Sequence, residues 1–169
     1  MRPDDIHCID TSQSKIVEGN LEVVVLFPKE RRSKQRIIKT TKVWHHSVPE
    51  LCPVKTYNVY RIRTSSFDKK MAHPKDRNTR FTPLMRNCQD LSLPISTDRI
   101  SNHMQSVSQF IPSWDDSQKL KARAIGATMA LRNGVSVDDV MVQGNWSSTD
   151  IVNEFYRLSR STALNFTTS

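Results

Sequence analysis

Between two apolar stretches the chain runs Pro28-Lys29-Glu30-Arg31-Arg32-Ser33-Lys34-Gln35-Arg36, five cations in nine positions. Side chains at that density neutralise a polyanion such as a nucleic-acid backbone, giving salt-dependent affinity without base reading. The same charges also suit a strand edge guarded against aggregation, and local composition leaves the two readings level. A second candidate is Arg123, set in the small and apolar run Lys121-Ala-Arg-Ala-Ile-Gly-Ala-Thr-Met-Ala. A planar fork of donors inside such a helix reads as functional more readily than as a solvated surface arginine. Trp146 and Tyr156 follow; Trp146 reads equally as a core aromatic, and by pattern alone a core aromatic with its hydroxyl satisfied is the commoner reading of Tyr156. Metal chemistry has little support. Cys8, Cys52 and Cys88 are widely spaced with no C-x-x-C pair, and adjacent histidines such as His45 and His46 point to opposite faces of a strand. Buried or free thiols are expected, with no disulfide framework.

The elements that must carry these residues can be read from periodicity. Leu21-Glu-Val-Val-Val-Leu-Phe27 is apolar and β-branched, and Arg36 to Trp44 follows the basic stretch. This predicts a β-hairpin over about residues 21–44 with the cations at its tip. Glu50 to Arg63 brings Leu51, Val54, Tyr57 or Asn58 and Ile62 near helical spacing, with Pro53 in the first turn. Thr64 to Arg80 is polar and lacks either periodicity, so it reads as a loop, and Phe81 to Met85 as a short buried strand. Thr97 is placed to cap a helix over Asp98 to Phe110 carrying Ile100, Met104, Val107 and Phe110 or Pro112 in helical order. Three helices then close the chain over about residues 117–158. Asp116 or Ser117 caps the first, and Gly134 stops it. Ser136-Val-Asp-Asp139 forms a capping box for the second, with Val135 and Val140 placed as a hydrophobic staple. Ser147 or Ser148 caps the third, with Ile151, Phe155 and Leu158 apolar and Val152 one turn from Tyr156.

A length of 169 residues suits one domain with one core. Lys plus Arg number 25 against 17 Asp plus Glu, a formal charge of +8. An anionic partner is the first expectation. With 37% hydrophobic residues the chain can build a core, and wholesale disorder is not expected. The longest apolar run, Val23 to Phe27, is far short of a bilayer span. No secretory signal follows Met1. An intracellular compartment is expected, nuclear in a eukaryotic host.

Lys121 to Ala130, Asn133-Gly-Val-Ser-Val-Asp-Asp-Val, Gly144-Asn-Trp-Ser-Ser and Asn153-Glu-Phe-Tyr resemble, in order and spacing, the C-terminal half of tyrosine recombinases. Within that superfamily they look most like the recombinases of Crypton- and DIRS-type eukaryotic mobile elements. Leu51-Cys-Pro-Val-Lys after a basic hairpin is similar to a second feature of that branch, and Met1-Arg-Pro-Asp-Asp to the motif of the first catalytic arginine.

The resemblance implies an α+β, mainly helical catalytic domain covering residues 1–169, with a small antiparallel sheet among helices. It implies an enzyme that cuts double-stranded DNA through a 3′-phosphotyrosine and rejoins it, working as a homo-oligomer on DNA. No cofactor, metal, membrane or small-molecule substrate enters. Tyr156 would be the nucleophile, Arg2 and Arg123 the guanidinium pair on the phosphate, and Trp146 an indole donor. Lys29, with Lys34 as runner-up, would protonate the leaving 5′-oxygen. Arg31, Arg32, Lys34 and Arg36 would hold the DNA backbone. Two departures stand out. Leu120 occupies a slot where relatives carry His or Lys, and leucine moves no proton. General acid-base help is worth about 100- to 10,000-fold, which sets the scale of the expected impairment. Helices that precede the first arginine motif in relatives are also absent, so the chain reads as an N-terminally truncated fragment. The alternative expectation is a catalytically inactive DNA-binding remnant.

Overall fold

The computed structural model describes residues 1–32, 35–110, 122–144, 146 and 148–155. The fold is α+β, with six α-helices and a small antiparallel sheet among the described residues. Two compact units make up the chain, one of residues Arg2–Ser101 and one of Met1 with Asn102–Ser169. The described apolar residues gather in three clusters, two in the first unit and one in the second, where length alone pointed to one core.

The first unit opens with a short helix, α1 (Pro3–His7), and three antiparallel strands in chain order, β1 (Ile9–Val17), β2 (Asn20–Arg32) and β3 (Gln35–Val43). Glu18 and Gly19 join β1 to β2 with φ of 49° and 75°. Two consecutive positive φ values give the two-residue turn whose twist matches the flanking strands. The central strand explains the unbroken apolar run. Leu21, Val23 and Val25 pack with Cys8, Ile9, Val54 and Leu84, while Val24 and Leu26 pack with Phe81. Successive side chains of a strand alternate in direction, so a strand buried on both faces must be apolar throughout.

The expected hairpin is present, its register running from Leu21 opposite Val43 to Arg31 opposite Arg36. β1 escaped sequence reading because it is polar and irregular, its register shifting between Asp10 and Lys15. There the buried Asp10 carboxylate accepts from the Ser12 N–H (3.0 Å), the Ser12 hydroxyl (2.8 Å), Gln13 (2.8 Å) and the Thr82 N–H (3.1 Å). Side-chain bonds thus replace the missing ladder, as buried polar groups require.

Helix α2 (Pro53–Thr64) carries Pro53 in its first turn, as expected. Its packed side is Val54, Tyr57 and Tyr60, whereas Leu51 and Ile62 are 66% and 80% exposed. The face set by Val54 continues through residues three and six further on, Tyr57 and Tyr60, and Ile62 lies about 140° from its centre. The segment read as a loop contains a hairpin instead, β4 (Met71–His73) with β5 (Asp76–Phe81). Its strands are short and mostly solvated, so they lack the apolar alternation that sequence reading relies on. Only Phe81 of the expected buried strand belongs to β5, and the residues after it run beside β1. Thr11 N–H donates to the Thr82 carbonyl (2.8 Å) and Leu84 N–H to that of Ile9 (3.1 Å).

Helix α3 (Thr97–Ser108) is capped one residue earlier than expected, the Ser96 hydroxyl accepting from the Arg99 N–H (3.3 Å). Ile100 is buried, while Val107 and Phe110 are exposed. The remaining helices are α4 (Ala122–Arg132), α5 (Val137–Gly144) and α6 (Thr149–Phe155). Gly134 ends α4 with φ of 82°, the left-handed conformation expected there. Ser136 caps α5 by accepting from the Asp139 N–H (3.0 Å) and donating to its carboxylate (2.6 Å). Ser148 receives the Ile151 N–H at 3.4 Å. Val140 is buried but Val135 is exposed. Ala127, Val140 and Val152 form this cluster, with Leu131, Met141 and Trp146 against it.

Candidate functional site

Small residues let α4 approach its neighbours closely: Ala124, Ala127 and Thr128 are buried. Arg123 lies in the first turn of this helix and is partly buried. The chain folds back after α5, the Trp146 N–H donating to the Met141 carbonyl (3.0 Å). That return sets the indole against α4. The Arg123 guanidinium lies 4.8 Å from the Trp146 ring centre, and its Nη2 donates to the Gly144 carbonyl. A Cβ at Gly144 would overlap the Trp146 indole, so this position needs glycine for a close approach. Trp146 is thereby a core aromatic and a partner of Arg123 at once. Stacking on an aromatic face and bonding to a helix-terminal carbonyl both fix a guanidinium, whose planar fork is matched to phosphate oxygens.

In the first unit Arg2 precedes α1 and its N–H donates to Asp5 (3.1 Å). Lys29, Arg31 and Arg32 lie on β2 and Arg36 on β3, with Arg31 opposite Arg36. Lys29 falls within a register shift between Leu26 and Arg31. At its start Phe27 adopts φ of 50°, which costs a non-glycine residue about 1–3 kcal/mol. Lys75 and His73 help to hold it there. The Lys75 ammonium donates to the Phe27 carbonyl (2.8 Å), and the Phe27 ring meets the buried His73 edge-on at 5.0 Å between centres. Lys75 also pairs with Asp4 at 2.5 Å, joining the first turn of α1 to the shifted part of β2. The neighbourhoods of Arg2 and Lys29 are thus brought together in this unit, and Arg123 and Trp146 in the other. Lys34, Leu120 and Tyr156 lie outside the described residues.

Sequence reading missed Lys75 because it sits in the segment taken for a loop, and nothing local marks a lysine that bonds 48 residues away. It also missed a buried cation. The Arg86 side chain is fully enclosed and pairs with Asp68 (3.3 Å), which Arg61 also holds (2.5 Å). The hydrogen bond from Arg61, then the charges of Arg61 and Arg86, hold the Asp68 carboxyl below its usual value. Tyr60 completes this cluster, its hydroxyl donating to the Leu84 carbonyl (3.1 Å) and accepting the Arg86 N–H (2.8 Å). Burial raises its phenol above the ordinary value.

No protein-family model matches the chain, and no curated protein matches it. Among the described residues, no helix is long and apolar enough to cross a membrane.

Proposed function

We propose that this chain acts on double-stranded DNA as the catalytic part of a mobile-element tyrosine recombinase, a strand-breaking and rejoining enzyme. The observation that carries the reading is the Arg123–Trp146 contact. Two residues singled out in sequence for one phosphate meet across a tight glycine, and Tyr156 comes ten residues after Trp146 in the sequence.

In this reading the Tyr156 hydroxyl gives up its proton to solvent as its oxygen attacks the phosphorus and expels the 5′-oxygen, forming a 3′-phosphotyrosine bond as the phosphodiester bond breaks. Charge building on the non-bridging oxygens is met by Arg123 and Arg2, with the Trp146 indole as a further donor. Lys29, or Lys34 in its place, delivers the proton to the leaving oxygen. A second 5′-hydroxyl then attacks the phosphotyrosine and restores a phosphodiester and the phenol. Arg31, Arg32, Lys34 and Arg36 hold the backbone, and assembly on DNA and residence in a nucleus belong to the same reading. The catalytic-domain fold of that superfamily, with its N-terminal part missing, is also part of it.

Leu120 favours a second reading, a DNA-binding remnant that no longer cuts. Both readings predict that the full chain is retained on a pool of random-sequence duplexes, with affinity falling linearly on a log-log plot against salt. Preference for single-stranded RNA in competition would contradict both.

A further inference from the structure

We infer that Lys75 is a positioning residue for the DNA site, an inference that rests on the reading above. Its ammonium is the junction of two segments that matter there. One bond reaches Asp4 (2.5 Å), two residues after Arg2, and the other reaches the Phe27 carbonyl (2.8 Å), two residues before Lys29.

The junction lies where β2 departs from regular geometry. Leu26 is still in register opposite Ile38, Phe27 is left-handed, and pairing resumes at Arg31. A carbonyl turned out of a ladder needs a new donor, and a charged donor is a strong one. The Lys75 N–H in turn donates to His73 Nδ1 (3.1 Å), and His73 lies edge-on to both Phe27 and Phe81. The turn carrying Lys75 is therefore seated from below while its ammonium reaches the shifted strand. Leu26 N–H donates to the Cys8 carbonyl (3.0 Å), so the end of α1 is also bonded to β2 where the shift begins. Lys75 acts through these backbones and sets the course of the strand that bears Lys29, Arg31 and Arg32.

The test compares the full chain with Lys75→Met, Lys75→Arg and Asp4→Asn in two measurements. In amide hydrogen exchange, Lys75→Met is expected to raise exchange about tenfold over residues 26–32, the scale of one lost charged hydrogen bond. Residues 21–25 should stay protected, Lys75→Arg should recover most of the loss, and Asp4→Asn should show a smaller one. Equal exchange over residues 26–32 in all four proteins overturns the tether. In retention on random-sequence duplexes, Lys75→Met is expected to weaken binding without changing the salt slope. A slope shallower by about 0.9 would make Lys75 a phosphate ligand and overturn the positioning role. Raised exchange with unchanged retention overturns it too, leaving a purely structural contact. If the unaltered chain is not retained at all, the DNA reading fails while the exchange data still decide the tether.

Discussion

The Arg123 guanidinium is held 4.8 Å from the Trp146 ring centre while it donates to the carbonyl of Gly144, the last residue of α5. One cation is therefore fixed by a π face and a helix end together, and the absence of a side chain at Gly144 makes room for both. Fixing matters because a guanidinium that must reorganise stabilises a developing charge less than one already aimed.

Gly144→Ala should displace the indole and release Arg123. Alanine is the better helix former by about 1 kcal/mol, and overpacking costs about 1–3 kcal/mol. A net loss of stability thus reports the clash. In a Trp44→Phe and Trp114→Phe background, the remaining tryptophan fluorescence should shift to the red. An unchanged spectrum and midpoint would show that the contact does not depend on this glycine.

The packed side of α2 and the Val24–Leu26 side of β2, where Phe81 packs, give a second test. Phe81 is 1% exposed and Ile62 is 80% exposed. Phe81→Ala should cost about 3–5 kcal/mol in urea unfolding, while Ile62→Ala should stay within about 0.5 kcal/mol of the parent. A large effect at Ile62 would contradict the face described for α2.

Asp68 balances a buried cation, and its carboxyl is held below the ordinary carboxylate value, first by the hydrogen bond from Arg61. A depressed carboxyl contributes stability that is present above its ordinary value and lost as pH falls through the depressed one. Asp68→Asn should cost about 3–5 kcal/mol at neutral pH, since it strands the Arg86 charge. Adding Arg86→Met should recover part of that loss. Calorimetry that finds the double variant no better than the single one would contradict the pairing.

The thiols should separate by reactivity. Cys88 is exposed. Cys52 precedes α2, and backbone N–H groups, that of His46 first, favour its thiolate, whereas burial pushes Cys8 from 9.0 up to about 11. Alkylation read by mass spectrometry should label Cys88 readily and Cys8 only on unfolding. A raised thiol pKa contributes stability below the unfolded value, so that contribution should disappear as pH rises from 9.0 to about 11. Rapid labelling of Cys8 in the folded chain would contradict its enclosure.

Much of this was legible in sequence where local rules coincide with burial. The β2–β3 hairpin, Pro53 at the start of α2, the Gly134 stop and the Ser136 capping box each follow from neighbouring residues. What escaped depends on partners far along the chain. β1 is polar and held by Asp10 through Thr82, and the hairpin of β4 and β5 is seated by His73 between two phenylalanines. For the site, Arg123 and Trp146 were named from sequence, but their contact through Gly144 was not. Lys75 gave no local signal, because Asp4 and Phe27, which its ammonium bonds, lie on α1 and β2.

The most direct test is to incubate the chain with nicked random-sequence duplexes, which trap a covalent intermediate by losing the strand end needed for rejoining. A protein–DNA adduct is expected that Tyr156→Phe abolishes, that Arg123→Ala suppresses, and that Leu120→His increases by about 100- to 10,000-fold. An adduct indifferent to Tyr156→Phe, or none from either the parent chain or Leu120→His, would contradict the recombinase reading.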